Sequence, residues 1–595
     1  MSLSFEDDAS AFGAQGATGR TGLDRQLSVP SRDGVPAGVG RPGGAAMAER
    51  SGQVLEGDGG GFAVWGLTAL GGGGGAGGGG GAGTSQQYTD AFLPGGRLTS
   101  YLAGGDGGLG GAGGVGGRAT AALRDATLAE VGFVRVSAQA TGGQGGQGGS
   151  GGQGGGAGGD VLRMDEFLDP VSGALSRSTW TTQGNAAGDA GAAGRGGHGA
   201  LGLAAIENLT LRNTGMTLLY ALAQGGDGGA GGTGLDGGWG GSAGAGAAGG
   251  EGGRGGNAQG VIRGLDLSDQ QGLNQALLLH IEAYGGYGGR GGQGGQGGAA
   301  VSGSQLVTNA PGGGGSTTRL DFADSAPGGA GGAGGKAAAL LQDNRIATGA
   351  GDDSIVVFLR AVGGQGGEGG RGGAGVADQS SLIGADATLV FGAAAGEDGA
   401  RGGDGTAVIR FENNSVILGE GNDTFSLAIQ AVGDVARIVF RGNAFDGGAG
   451  FDTLDLSGFG SQAMGWGAVV DVARGRLSLA GGSQQNSLTG FERFIGSMGD
   501  DRFLDGAGNQ HYAGGDGRDR FVFTRTHGHD IIEDFEAGDV IEFSRFGPRL
   551  DSFADVLARS TDDWNGLVID TGYGGTLTLL GWQKASLTAE MFGFT

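Results

Sequence analysis

Short runs of alternating apolar and polar residues recur along the chain, and each ends against glycine. Residues 62–70 (FAVWGLTAL) run into Gly71, and 133–140 (FVRVSAQA) into Gly142. The same join follows 218–223 (LLYALA), 277–283 (LLLHIEA) and 355–361 (IVVFLRA), at Gly225, Gly285 and Gly363. A sixth run, 425–431 (FSLAIQA), reaches Gly433 without a following glycine tract. Period-two alternation over so few residues predicts β-strands with one buried face. From junction to junction the spacing is 71, 83, 60, 78 and 70 residues. Repeats of that length are the mark of a solenoid. Second glycine tracts (104–117, 186–199, about 242–256, 328–335 and 396–405) lead back toward the next strand. Several are followed by a strand-like segment with an Asn turn: 206–212 (IENLTLR), 340–347 (LLQDNRIA) and 408–418 (VIRFENNSVIL). The repeat therefore reads as strand, turn, strand, glycine arm out, loop, glycine arm back. The expected fold is all-β: a β-solenoid or parallel β-roll of stacked strand pairs alternating with paired polyglycine II helices. Each repeat is too thin to bury a core alone, so neighbours must stack.

Composition sharpens the reading of the arms. Glycine supplies 154 of 595 residues and proline only 8, which excludes collagen, where Pro is abundant beside each Gly. GGx tracts often make flexible linkers. Here, however, they hold a strict three-residue period, as in GGQGGQGGSGGQGG (142–155) and GGYGGRGGQGGQGG (285–298), and they come in pairs around each loop. Period three fits an extended helix of three residues per turn and ~3.1 Å rise, so a 15-residue arm spans roughly 45 Å. Without side chains on two faces, such helices approach closely enough to hydrogen-bond to one another. The tracts resemble the polyglycine II bundles of snow flea antifreeze protein and of some phage tail adhesins. Residues 1–50 are expected to be an N-terminal arm, 51–440 the glycine-rich repeat domain, and 441–595 a different unit.

That last unit carries a nonapeptide of the form G-G-x-G-x-D-x-U-x, with U a large apolar residue. It is complete at 447–455 (GGAGFDTLD) and 514–522 (GGDGRDRFV), and nearly so at 348–356 (TGAGDDSIV), 418–426 (LGEGNDTFS) and 496–504 (GSMGDDRFL). Between the last and 514–522 lies DGAGNQHYA, with Gln510 in the Asp position. These repeats resemble the RTX (repeats-in-toxin) family of calcium-binding parallel β-rolls. The resemblance implies Ca2+ held by Asp353, Asp423, Asp452, Asp501, Asp519 and Asp530, with turns shaped by Gly351, Gly421, Gly450, Gly499 and Gly517. Two nonapeptides make one coil, so Asp501 and Asp519, 18 apart, should stack on one edge and Gln510 on the other. Asp353 and Asp423 become ligands only if their turns, 70 residues apart, stack. Residues 529–543 (HDIIEDFEAGDVIEF) are similar to the segment that closes such rolls, and 577–595 to an uncleaved type I secretion signal. Proteins of this kind leave Gram-negative cells unfolded and fold outside, where calcium binding becomes folding free energy.

Charge and chemistry fit that address. The balance of 36 basic to 61 acidic residues, net −25, disfavours nucleic acid and anionic lipid as partners and favours cations. With no cysteine, disulfides and thiol chemistry are excluded. The N-terminus, MSLSFEDDASAFGAQG, shows no Sec-type signal, and no stretch suits membrane insertion. The five histidines form no HExxH, and the GxSxG around Ser150 lies inside a glycine tract without a strand–turn–helix context. His527 and His529 beside Asp530 could hold a transition metal, although a surface turn of the roll is the plainer reading. The expectation is therefore a secreted protein that is not an enzyme. It would be a calcium-dependent subunit of an extracellular filament, matrix or surface layer, homo-oligomeric or polymeric. Its other partners would be the type I secretion machinery and cell-surface polysaccharide. The alternative is an adhesin using loops 85–103 (Tyr88, Phe92, Tyr101) and 160–185 (Phe167, Trp180) as recognition surface.

Overall fold

Parallel register in the computed structural model reproduces the junction spacings. Leu70 pairs with Thr141, Thr141 with Gln224, Gln224 with Tyr284, Tyr284 with Val362, and Val362 with Val432. Described are residues 4–12, 14–15, 17, 36–82, 89–93, 96–100, 106–154, 161–168, 175–182, 186–238, 243–269, 275–305, 316–375, 379–383, 386–391, 394–460, 467–479 and 486–595. Along each strand burial alternates as the sequence does, for example in Ala276–Tyr284 and Ser354–Val362. Inward residues of successive coils stack into ladders such as Leu279, Val357 and Leu427. The fold is a β-solenoid whose strands form one largely parallel sheet.

Although the 18-residue coil near the C-terminal end has two strand segments, Arg502–Leu504 and His511–Ala513, coils in the middle of the stack have three. In one coil these are Ala337–Gln342, Arg345–Ala347 and Ser354–Val362, each in parallel register with the next coil. The first corner is tight: Asp343 and Asn413 take left-handed φ of 55° and 57°, a conformation that Asn and Asp tolerate. Beside it, Asn344, Asn414, Asn443 and Asn486 form a buried ladder. Each backbone N–H donates to the Oδ1 of the next Asn at 2.9–3.2 Å. Asparagine suits this position because its amide can both donate and accept along the stack.

The glycine arms are ordered by hydrogen bonds with a three-residue period. Gly142, Gly145 and Gly148 donate to Gln224, Asp227 and Ala230 of one neighbouring tract. Gly143, Gly146 and Gly149 donate to Gly117, Gly114 and Gly111 of another, which runs the opposite way. A third neighbour donates back, from Gly74 to Gln144 and from Gly77 to Gln147. The packing leaves no room for a side chain: a methyl on Gly146 or Gly149 would overlap the carbonyl of Gly75 or Gly78. The third residues, such as Gln144 and Gln147, face solvent. The loops expected at the arm tips contain antiparallel hairpins, including Thr89–Leu93 with Gly96–Ser100 and Val161–Leu168 with Leu175–Thr182. Tyr88 and Tyr101 lie outside the described residues; Phe92, Phe167 and Trp180 fall on these hairpin strands.

Within residues 1–50, Ser4–Phe12 pairs in parallel with 62–70, and Ala46–Ser51 with 119–124. The stack also continues across residue 440, since Ala407–Glu412 pairs with Ala436–Arg441 and Thr424–Val432 with Thr453–Asp455. The core coarsens along it, from alanine-rich (Ala119, Ala121, Ala138, Ala140) to phenylalanine-rich (Phe411, Phe425, Phe445, Phe494, Phe503, Phe521). At the C-terminal end the helix Phe553–Arg559 and the hairpin Ser560–Asp563/Gly566–Asp570 cover the last coil. Residues 577–595 are folded into it: Thr576–Leu580 pairs with His529–Ile532, and Phe592–Phe594 with Val540–Phe543.

Candidate calcium turns

The second corner of each later coil is a Gly/Asp turn, and these turns stack. Gln275 N–H donates to Asp353 Oδ1 (2.6 Å), Asp353 N–H to Asp423 Oδ1 (2.7 Å), and Asp423 N–H to Asp452 Oδ1 (2.8 Å). Parallel bridges join Ala350 to Glu420 and Glu420 to Ala449. The two turns 70 residues apart therefore meet. The column continues through Glu492, which accepts from Asp452 N–H, to Gln510 and Asp530. On the opposite edge Asp501 N–H donates to Asp519 Oδ1 (2.8 Å), and Asp519 N–H to Asp539 Oδ1 (2.9 Å). The 18-residue coil is as the repeat predicts, and Gln510 is on the other edge.

Glycine makes the turns possible. Gly351, Gly421, Gly450 and Gly517 have φ between 119° and 150°, which residues with a Cβ rarely adopt; Gly499 is not among the positive-φ glycines. Gly421 lies so close to the Gly351 carbonyl that a methyl there would overlap it, and Gly450 meets the Gly421 carbonyl likewise.

The stacking leaves anionic oxygens bare. One carboxylate oxygen accepts the backbone N–H of the preceding coil, while Oδ2 of Asp353, Asp423, Asp452 and Asp519 is buried with no hydrogen-bond partner. A buried anionic oxygen without a donor is costly. Burial pushes the carboxyls up accordingly: Asp423 to about 6, Asp519 to about 8, and Asp353, Asp452 and Asp539 in the same direction. Bare carboxylate oxygens are donors of the hard, anionic kind calcium takes. On this test Asp353, Asp423, Asp452 and Asp519 fit calcium.

Asp501 and Asp530 differ. Ser497, in a glycine position of the repeat, donates its N–H to Asp501 Oδ2 (2.6 Å) and its hydroxyl to Oδ1 (2.9 Å). Burial raises Asp501 to about 6, yet neither oxygen is bare. Asp530 accepts Gln510 N–H on Oδ1 (2.9 Å) and meets His527 Nδ1 on Oδ2 (2.8 Å). His527, expected on a surface turn, is only 6% exposed, whereas His529 sits at the surface against Thr576. Asp539 and Glu492 complete the two columns although neither lies in a nonapeptide. A carboxylate one coil beyond a repeat Asp was the signal available for both.

No family model and no curated protein matches the chain. Among solved structures it is similar to the extracellular lipase LipA from Serratia marcescens, at 12% identity and a TM-score of 0.16. The match covers 43% of this chain and 40% of the lipase. One expectation is corrected here: that the chain is not an enzyme. A solved structure it is similar to is an enzyme's, and at a TM-score of 0.16 the likeness decides the question in neither direction.

Proposed function

We propose that this chain is a secreted calcium-binding β-solenoid of the RTX type. It folds when calcium fills its Gly/Asp turns outside the cell and serves there as a structural subunit of a filament, matrix or surface layer. The observation that carries the reading is the set of bare, buried carboxylate oxygens on Asp353, Asp423, Asp452 and Asp519, repeated from coil to coil. In a cytosol poor in calcium those charges oppose folding and keep the chain fit for export. In millimolar calcium they become ligands, and binding stabilises the fold. Calcium titration of the full chain, followed by circular dichroism and sedimentation velocity, tests both halves. Calcium should raise β-content and then sedimentation coefficient, and a chelator should reverse both. Signals indifferent to calcium would overturn the reading.

A second reading, surface attachment, is favoured by the antiparallel hairpins that join one glycine arm to the next along the chain. Polysaccharide is the partner it implies. Deleting residues 161–182 separates the two readings: attachment is lost on the second and assembly is kept.

A further inference from the structure

Among the described residues one cluster of metal-ligating side chains joins Asp530, at the end of the turn column, to two residues outside the calcium turns. Asp505 follows the strand Arg502–Leu504, His527 follows Arg520–Phe523, and Asp530 lies in His529–Ile532, so successive coils bring them together. One ligand atom from each lies within 4.8 Å of the other two. Their exposures are 2%, 6% and 0%, and the His527 ring stands against Phe523 and Phe546, at 5.7 and 5.8 Å between centroids. Tyr512 donates its hydroxyl to Asp505 Oδ1 (2.7 Å), while Asp505 Oδ2 is buried with no partner.

The hydrogen bonds around His527 sharpen the point. Thr571 donates its hydroxyl to the Gly575 carbonyl (2.9 Å), which spends its single hydrogen. His527 Nε2, 2.7 Å from Thr571 Oγ1, must then carry the hydrogen of that contact. Nδ1 is left with its lone pair facing Asp530 Oδ2 at 2.8 Å, and two acceptors at that distance need a proton or a metal ion between them. A proton there satisfies that one contact and still leaves Asp505 Oδ2 buried and bare. A divalent cation with neutral imidazole brings the set to zero.

We propose that Asp505, His527 and Asp530 form a second kind of metal site, for a divalent transition ion of the Zn2+ class. The imidazole nitrogen sets it apart from the all-oxygen calcium turns, since nitrogen with carboxylate suits zinc and its neighbours while calcium takes oxygen. Thr571 orients the ring from the far nitrogen, as outer hydrogen bonds do at metal-bound histidines. Ligand atoms about 2.1 Å from a metal stand about 3.4 Å apart in a tetrahedron, so small side-chain rotations close the cluster. Gln510 contributes by its departure from the repeat, since its side chain is neutral where an Asp would add a third charge, while its backbone N–H holds Asp530 Oδ1.

The test uses the untagged full chain, stripped of transition metals and held in saturating calcium, titrated with Zn2+ and then Co2+. The expected result is one tight Zn2+ per chain that excess calcium does not displace, and visible Co2+ bands typical of nitrogen–oxygen coordination. Asp505→Asn, which keeps the size and the Tyr512 contact, should weaken Zn2+ binding roughly tenfold or more and abolish the Co2+ bands. Its calcium-induced circular dichroism should match the parent's, which separates loss of the site from loss of the fold. His527→Gln checks the nitrogen ligand in the same way. Zn2+ uptake unchanged in Asp505→Asn, no Zn2+ uptake at all, or stoichiometric displacement by calcium would each overturn the proposal.

Discussion

A carboxylate with one oxygen bonded and the other bare makes folding depend on what the solvent supplies, and Asp519 is the sharpest case. Its folded pKa, about 8, lies above the roughly 3.9 of an unfolded Asp. Between those values the folded state binds more protons than the unfolded state, so stability falls as pH rises. For Asp423 and Asp501 the fall runs from about pH 4 to about 6, and for Asp519 on to about 8. In chelator, thermal melts should therefore give a higher Tm at pH 5 than at pH 8, and calcium should flatten or reverse that slope. A chelated chain that gains stability over this range would sink the argument. Asp519→Asn should change sign with conditions. In calcium it loses the stabilisation of one site, about 2.7 kcal/mol where calcium stands at 100 times Kd. In chelator at pH 8 it gains stability, because a buried charge is gone; paired melts of the variant and its parent check both signs. At this scale the sequence was informative where the motif was, and Asp353, Asp423, Asp452 and Asp519 stand where the nonapeptide implied. It said little of Ser497, whose hydroxyl and N–H quench Asp501, because only the folded turn brings the two together.

Among the elements, the glycine arms were readable because their constraint is periodic in the chain itself. Two of every three positions face a neighbour's carbonyl and admit no side chain, so the sequence repeats every three residues. Gly149→Ala should cost about 1–3 kcal/mol by overpacking, because its methyl meets the Gly78 carbonyl. Gln147→Ala, two residues away and facing solvent, should stay within about 0.5 kcal/mol. Calorimetry of the pair would sink the bundle account if the two changes cost the same. The asparagine ladder was not readable. Asn344 and Asn414 look like turn residues in their own segments, and their shared role exists only across coils. Asn414 donates its Nδ2 to Asn443 Oδ1 and Leu341 O, both at 3.0 Å, and its Oδ1 accepts from Asn344. Asn414→Ala should cost about 2–3 kcal/mol by leaving buried amides unpaired, seen as a lower urea midpoint at unchanged slope. Of the cluster of Asp505, His527 and Asp530, the last two lie three residues apart and were readable as a pair, while Asp505 comes from another coil and was not.

Across the whole molecule the second corner changes character, and this divides the solenoid. In the coils of Ala119–Thr141 and Gly202–Gln224 that corner is tight, with Glu130 and Asn213 at φ of 57° and 45° and Asn213 Nδ2 donating to Glu130 Oε2 at 2.7 Å. Among the described residues, no buried carboxylate oxygen lacks a partner there. From Asp353 onward that corner is a Gly/Asp turn with a bare buried oxygen at Asp353, Asp423 and Asp452, and Asp519 repeats the feature on the opposite edge. Stability in a solenoid is nearly a sum of each repeat's own term and its contacts with its neighbours, so local requirements stay local. Calcium should therefore govern the coils from about residue 340 to the C-terminal cap, while the earlier coils keep their alanine-rich ladders and glycine bundle without it. Hydrogen exchange with and without chelator measures this strand by strand. Chelation should release Ser354–Val362, Thr424–Val432 and the roll beyond them, and leave amides of Ala119–Thr141 and Gly202–Gln224 protected. Loss of protection along the entire chain would instead make the solenoid one cooperative unit, with the calcium turns as its single point of control.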